Sequence, residues 1–211
     1  MNEIGRVLDL KIEWTEEAGW GNFIEGLRSN RYDAFCAGMW PDAPRMKFIS
    51  LTDPILYNVM YAYVRGDDDR FDGNIEAANN PEIIVPVVEG DVTATIAKTV
   101  FPKAKKLSLQ QISTVSEMML SVTTGKADFT VLTPEIFDAF DKNNPGELRA
   151  VKDIGPLQYR SVNLGVKAGE YHLRDMLNQA ISALRDDGTI AQILAKYSEH
   201  YIPPSPAYTL K

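Results

Sequence analysis

A chain of 211 residues with 45% hydrophobic and 24% charged side chains is long enough to bury one large core or two smaller ones. Its formal charge of −7 and pI near 4.9 argue against nucleic acid as a partner, because phosphate binding needs clustered Lys and Arg. The short basic group Lys103, Lys105 and Lys106 reads instead as a solvated edge between a helix and a strand. Cys36 stands alone in an apolar run, so no disulfide framework or cysteine metal site is expected, and it reads as a small buried hydrophobe. His172 and His200 lack metal-ligand spacing, and no cofactor motif is present. No window approaches the ~18 uninterrupted apolar residues of a membrane span. The opening Met1-Asn2-Glu3-Ile4 reads like the middle of a helix rather than a secretion signal.

In chain order, Ile4, Val7 and Leu8 carry helical spacing, and Leu10 to Trp14 then alternates as a strand. Trp20, Phe23, Ile24 and Leu27 give one apolar helix face. Tyr32 to Met39 is the near-continuous apolar run of a strand covered on both faces. Asn58 to Val64 is a further strand. The polar stretch from Gly66 to Pro81 breaks the pattern. Ile83 to Val88 begins a second series, with Pro86 removing a ladder donor inside it. Thr114 and Glu117 have capping-box spacing ahead of Val115, Met118, Met119 and Val122. Phe129 to Leu132 is a buried strand, and Thr133-Pro134 opens a helix in the favoured order. After a strand at Val162 to Val166, Leu173, Met176, Leu177, Ala180, Ile181 and Leu184 line one amphipathic helix. Ile190, Ile193, Leu194 and Tyr197 line another. The tail from Ile202 to Lys211 holds three prolines and reads as extended. Strands alternating with helices predict an α/β protein.

Within this frame Trp20 is followed by Arg31-Tyr32-Asp33-Ala34, Ala37-Gly38-Met39, Arg45, and Leu51-Thr52-Asp53-Pro54. Further on come Val88-Glu89-Gly90, Gly125-Lys126-Ala127-Asp128, Asn144 to Leu148, and Asp187-Gly188-Thr189. In order and spacing these motifs resemble the polar amino-acid-binding family of extracellular solute-binding proteins, and the resemblance covers essentially the whole chain. It implies the type II periplasmic binding protein fold, with two α/β lobes joined by two crossover strands and ligand held in the cleft between them. On that pattern lobe one is residues 1–61 with 165–211, and lobe two is 62–164. Family members begin with a strand and a ligand-contacting turn ahead of the first helix. By the same pattern this chain starts about halfway along that helix, without its first strand. Leu10 to Trp14 and the strand at Tyr32 to Gly38 are then expected as parallel members of one sheet. They would pair directly, leave a gap, or accept a strand from another chain.

The resemblance also nominates a site. Arg45 matches the family arginine that grips the ligand's carboxylate, a task suited to a planar guanidinium; the alternative is a loop arginine paired with Asp42 or Asp53. Asp42 stands where the family carries a hydroxyl donor, and Trp40 where it carries a small hydroxyl residue. Either both reshape a loop, or the cleft has turned toward a cation, with Asp42 as counter-charge and Trp40 as a π face. In lobe two, Gly90, Asp91, Val92 and Thr93 occupy the turn whose amides meet the carboxylate, and Asp91 also suits an N-cap. Thr133 replaces the aspartate that takes the ligand's ammonium, and capping the helix at Pro134 explains it without ligand. Gly38 and Glu89 complete the cleft-lining set.

Three functions are compatible with these residues. The first is the receptor of an ABC importer, periplasmic or extracellular, passing a small polar solute to a permease and working as a monomer unless truncation drives association. The second is the ligand-sensing outer domain of a signalling receptor. The third is an enzyme, for which Glu89 is the nearest candidate acid, yet no base partner accompanies it. A receptor without catalytic residues or cofactor is the reading the sequence favours.

Overall fold

The computed structural model describes residues 1–19, 22–88, 92–109, 115–197 and 201–204. The chain opens with α1 (Asn2–Leu8), α2 (Phe23–Arg28), β1 (Ala34–Met39), β2 (Ile49–Leu51) and β3 (Leu56–Arg65). Then come β4 (Ile84–Val88), α3 (Val92–Thr99), β5 (Lys105–Leu109), α4 (Val115–Thr123), β6 (Phe129–Leu132) and α5 (Pro134–Asp141). It closes with β7 (Leu148–Ala150), β8 (Gln158–Lys167), α6 (Tyr171–Asp186) and α7 (Thr189–Leu194). Two compact units result, one from residues 1–58 with 160–211 and the other from 59–159. The chain enters the second unit along β3 and leaves it along β8.

In the first unit β8 is the organising strand. Its residues 162–166 are all buried, which explains their unbroken apolar run apart from Asn163 and Gly165. β1 pairs antiparallel with β8 through Ala34↔Val166 and Phe35↔Gly165, and β2 pairs with it through Ser50↔Val166. The β1 register shifts before Met39↔Asn163. Gly38 sits in that irregularity at φ +78, and a Cβ there would meet Val162 Cγ1 at 2.9 Å. Only glycine meets both demands, the left-handed backbone and the close approach. On one side Ile4 of α1 and Leu177, Ala180, Ile181 and Leu184 of α6 pack with Leu164 and Val166. A second cluster gathers Phe23 and Leu27 of α2 against Phe35, Met39 and Ile49, with the Phe23 and Phe35 rings stacked at 4.6 Å. At Gly26 a Cβ would collide with the Tyr32 ring, whose hydroxyl donates to the Phe23 carbonyl at 2.9 Å.

The second unit is built on β3, which pairs antiparallel with β6 (Tyr61↔Leu132 to Val64↔Phe129) and with β7. β4 and β5 pair in parallel, with Pro86 opposite Leu107. Every residue of β6 is buried, as its β-branched and aromatic composition requires. Phe71 and Phe101 meet Phe129 edge-on at 5.9 and 4.8 Å, and Met118, Met119 and Val122 of α4 pack with Tyr63, Leu132 and Phe140. An ion-pair network closes the rim. Asp68, with its side chain 4% exposed, accepts from Arg70 Nη2 at 2.7 Å and Arg65 Nη2 at 3.2 Å. Arg70 reaches on to Asp128 at 2.7 Å, and Asp128 accepts the Ile84 amide at 2.8 Å.

Four expectations are corrected. Leu10 to Trp14 forms no strand, because no neighbouring strand offers it a ladder; Leu10 is 47% and Trp14 70% exposed. Tyr197 lies beyond the end of α7 and is 78% exposed, so it is no part of an apolar helix face. Cys36 is half-buried rather than sealed in the core, since it borders an open groove beside β1. Thr133 takes the N-cap position of α5 without its hydroxyl capping the helix, as described below. Trp20 and the capping residue Thr114 lie outside the described residues.

Candidate functional site

The first unit contributes the stretch from Gly38 to Arg45. The bulged end of β1 delivers the chain to Trp40, which is half-buried, and then to a turn in which the Arg45 amide bonds the Asp42 carbonyl at 3.0 Å. Arg45 begins a single 3-10 turn, Arg45–Lys47. Its Nε lies 3.2 Å from Asp42 Oδ2, with the two side chains 35% and 38% exposed. Its guanidinium carbon sits 5.8 Å from the centre of the Phe23 ring, so the side chain rests on the buried aromatic pair Phe23–Phe35. The result is a solvent-accessible cation and anion held side by side on a rigid base. This is the loop pairing of Arg45 with Asp42 that the sequence allows as the alternative to a ligand contact.

The sequence also nominates residues at the starts of α3 and α5, which belong to the second unit. Glu89, Gly90 and Asp91 lie outside the described residues, as does the side chain of Val92, whose backbone opens α3. Thr93 is 6% exposed, and its hydroxyl accepts the Val88 amide at 3.2 Å, tying the end of β4 to the first turn of α3. Thr133 is 3% exposed at the N-cap of α5, and its carbonyl accepts the Ile136 and Phe137 amides at 3.2 Å. Its hydroxyl makes no capping bond. Extended backbone at Thr133 followed by Pro134 starts the helix without side-chain help.

One residue of this region was not singled out from the sequence. Glu135, in the first turn of α5, has its Oε1 buried and without a hydrogen-bond partner among the described residues. An anionic oxygen shielded from water and left without a donor is costly. Burial raises the pKa of the neighbouring Tyr63 hydroxyl well above its ordinary value, and the charges of Asp138 and Glu135 add to the shift. Negative charge is therefore concentrated around the start of α5.

Compared with known proteins, residues 1–200 match the profile of bacterial extracellular solute-binding proteins, family 3. The chain belongs to this family. Among curated relatives, "Glutamate-binding protein GluB" of Corynebacterium glutamicum is 25% identical over 88% of this chain and 62% of its own length. A "Probable amino-acid ABC transporter-binding protein" of Haemophilus influenzae is 25% identical over 92% of this chain and 71% of its own length. The chain thus spans less than two thirds of the first of these relatives. Among solved structures, the ancestral amino-acid-binding protein AncCDT-1, a precursor of cyclohexadienyl dehydratase, superposes with a TM-score of 0.69 at 22% identity. That match covers 93% of this chain and 81% of the ancestral one. A histidine kinase sensor domain with similarity to periplasmic binding proteins superposes with a TM-score of 0.71 at 18% identity, covering 96% and 85%. The fold is the type II periplasmic binding protein fold that the motif series predicts. Both a transport receptor and a sensor domain are built on it.

Proposed function

We propose that this family 3 protein captures a small amino acid or amino-acid-like solute carrying a positive group, alone or with one carboxylate, for an ABC importer. The observation that carries the reading is the Arg45–Asp42 pair, one cation and one anion 3.2 Å apart and both accessible to solvent. In this reading Arg45 takes the carboxylate in a forked contact and Asp42 takes the ammonium. A receptor is favoured over an enzyme because acid chemistry at Glu89 lacks a base partner, and fold alone does not license chemistry. The transporter reading draws on the Haemophilus relative; a sensor role for the same unit rests on fold similarity alone.

Calorimetric titration of the protein with arginine, glutamine and glutamate is the test. Binding of arginine or glutamine with weak or absent glutamate binding is expected. Arg45→Ala should weaken a carboxylate ligand by about 1.5–3 kcal/mol, the scale of a charged hydrogen bond. Tight glutamate binding with no response to the other two would refute the charge reading and leave the fold untouched.

A further inference from the structure

The prolines of the tail predict an extended segment, and the structure seats the start of that segment on β3. Tyr57 and Ile202 exchange both backbone bonds. The Tyr57 amide donates to the Ile202 carbonyl at 2.7 Å, and the Ile202 amide donates to the Tyr57 carbonyl at 3.0 Å. Pro204 is buried two residues on, whereas Ile202 itself is 39% exposed. Residues 201–204 therefore grip β3 by one rung and one buried ring. The rung cannot extend through Pro203 and Pro204, because neither carries an N–H.

The rung sits where the chain leaves the first unit. Tyr57 is the second residue of β3, and the first unit ends at Asn58. β3 runs beside β8, and just ahead of it the Ile55 amide donates to the Val162 carbonyl at 2.8 Å. These are the two strands by which the chain passes into the second unit and back. Further along, β3 is braced by the pairs with β6 from Tyr61↔Leu132 to Val64↔Phe129. At Tyr57 both backbone groups are held by Ile202 instead. The next residue, Asn58, has its Oδ1 buried without a hydrogen-bond partner among the described residues, so the head of β3 is less well satisfied than its middle.

We infer that residues 201–204 are a detachable strap over the head of β3, which stiffens this crossover strand while seated and opens without unfolding the first unit. Two backbone bonds at a single rung open more readily than a ladder, since their release exposes little buried surface.

Hydrogen exchange and backbone nitrogen relaxation on the full chain test this. In the unaltered protein the Tyr57 amide should exchange by local opening, at a rate nearly independent of low urea. The β3–β6 amides should instead follow the urea dependence of global unfolding. Ile202→Pro removes the donor and should speed Tyr57 exchange about tenfold or more. The order parameters of Tyr57 and Asn58 should then fall below the rigid-backbone value of about 0.85, with the β3–β6 amides unchanged. Ile202→Ala keeps the N–H and should leave every one of these readings as it was. A Tyr57 amide with the urea dependence of the β3–β6 ladder would overturn the inference, because the tail would then be an integral strand. An Ile202→Pro variant with Tyr57 as protected and as rigid as before would overturn it too, as would one in which all strands loosen together.

Discussion

Asp68 serves two arginines from a side chain that is almost fully buried, and its carboxyl is held below its ordinary pKa, chiefly by the hydrogen bonds from Arg70. The sign of the pH dependence follows. A carboxyl whose folded pKa is depressed stabilises the fold above its unfolded pKa, near 4, and loses that contribution as pH falls through the lower folded value. Urea unfolding should therefore show stability dropping on the acid side of pH 4. Asp68→Asn should flatten that drop and cost about 1.5–3 kcal/mol at neutral pH, because it removes the charged hydrogen bonds to an almost fully buried carboxylate. An unchanged acid profile in the variant would assign the pH dependence to other carboxyls. Gly38→Ala, which forces a side chain into a left-handed backbone against Val162, should cost about 2 kcal/mol in the same measurement.

The elements show what a linear pattern records. Phe129 to Leu132 was readable because all four residues are buried, and burial on both faces leaves an unbroken apolar run. Phe129→Ala should cost about 3–5 kcal/mol, as it removes the ring that Phe71 and Phe101 pack against; the urea midpoint should fall without a change in slope. Leu10 to Trp14 carries an equally clear alternation and forms no strand. Alternation describes the faces a strand would have, whereas a ladder also needs a neighbour that sequence distance does not reveal. β2 and β7 passed unread because three residues are too few to show a period. A motif nominated Arg45, and the structure shows it paired with Asp42. Glu135 was illegible, since a carboxylate in a first helical turn is the ordinary companion of the helix dipole. Thr133 was placed correctly at a helix start, but the proline after it, not its hydroxyl, does the work.

At the scale of the whole molecule the second unit is continuous, residues 59–159, while the first is assembled from two separated pieces. The continuous unit holds its own aromatic cluster, the β3–β6 and β4–β5 pairings and the Asp68 network. Expressed alone, it should fold and unfold cooperatively with an enthalpy of about 60–80 kcal/mol, the scale of about 100 residues, by scanning calorimetry. Residues 1–58 alone should show no cooperative transition. A broad, heatless trace from 59–159 would show that the unit depends on the rest of the chain.

That arrangement also sets a timetable for synthesis. Among the described residues β1 and β2 pair only with β8, so they leave the ribosome before their pairing partner with unpaired edges. At about 5–20 residues per second the intervening stretch of ~100 residues takes some 5–20 s to make. For that interval the first unit waits incomplete while the second is still being made. It is then that the chain is most exposed to aggregation and most in need of a chaperone.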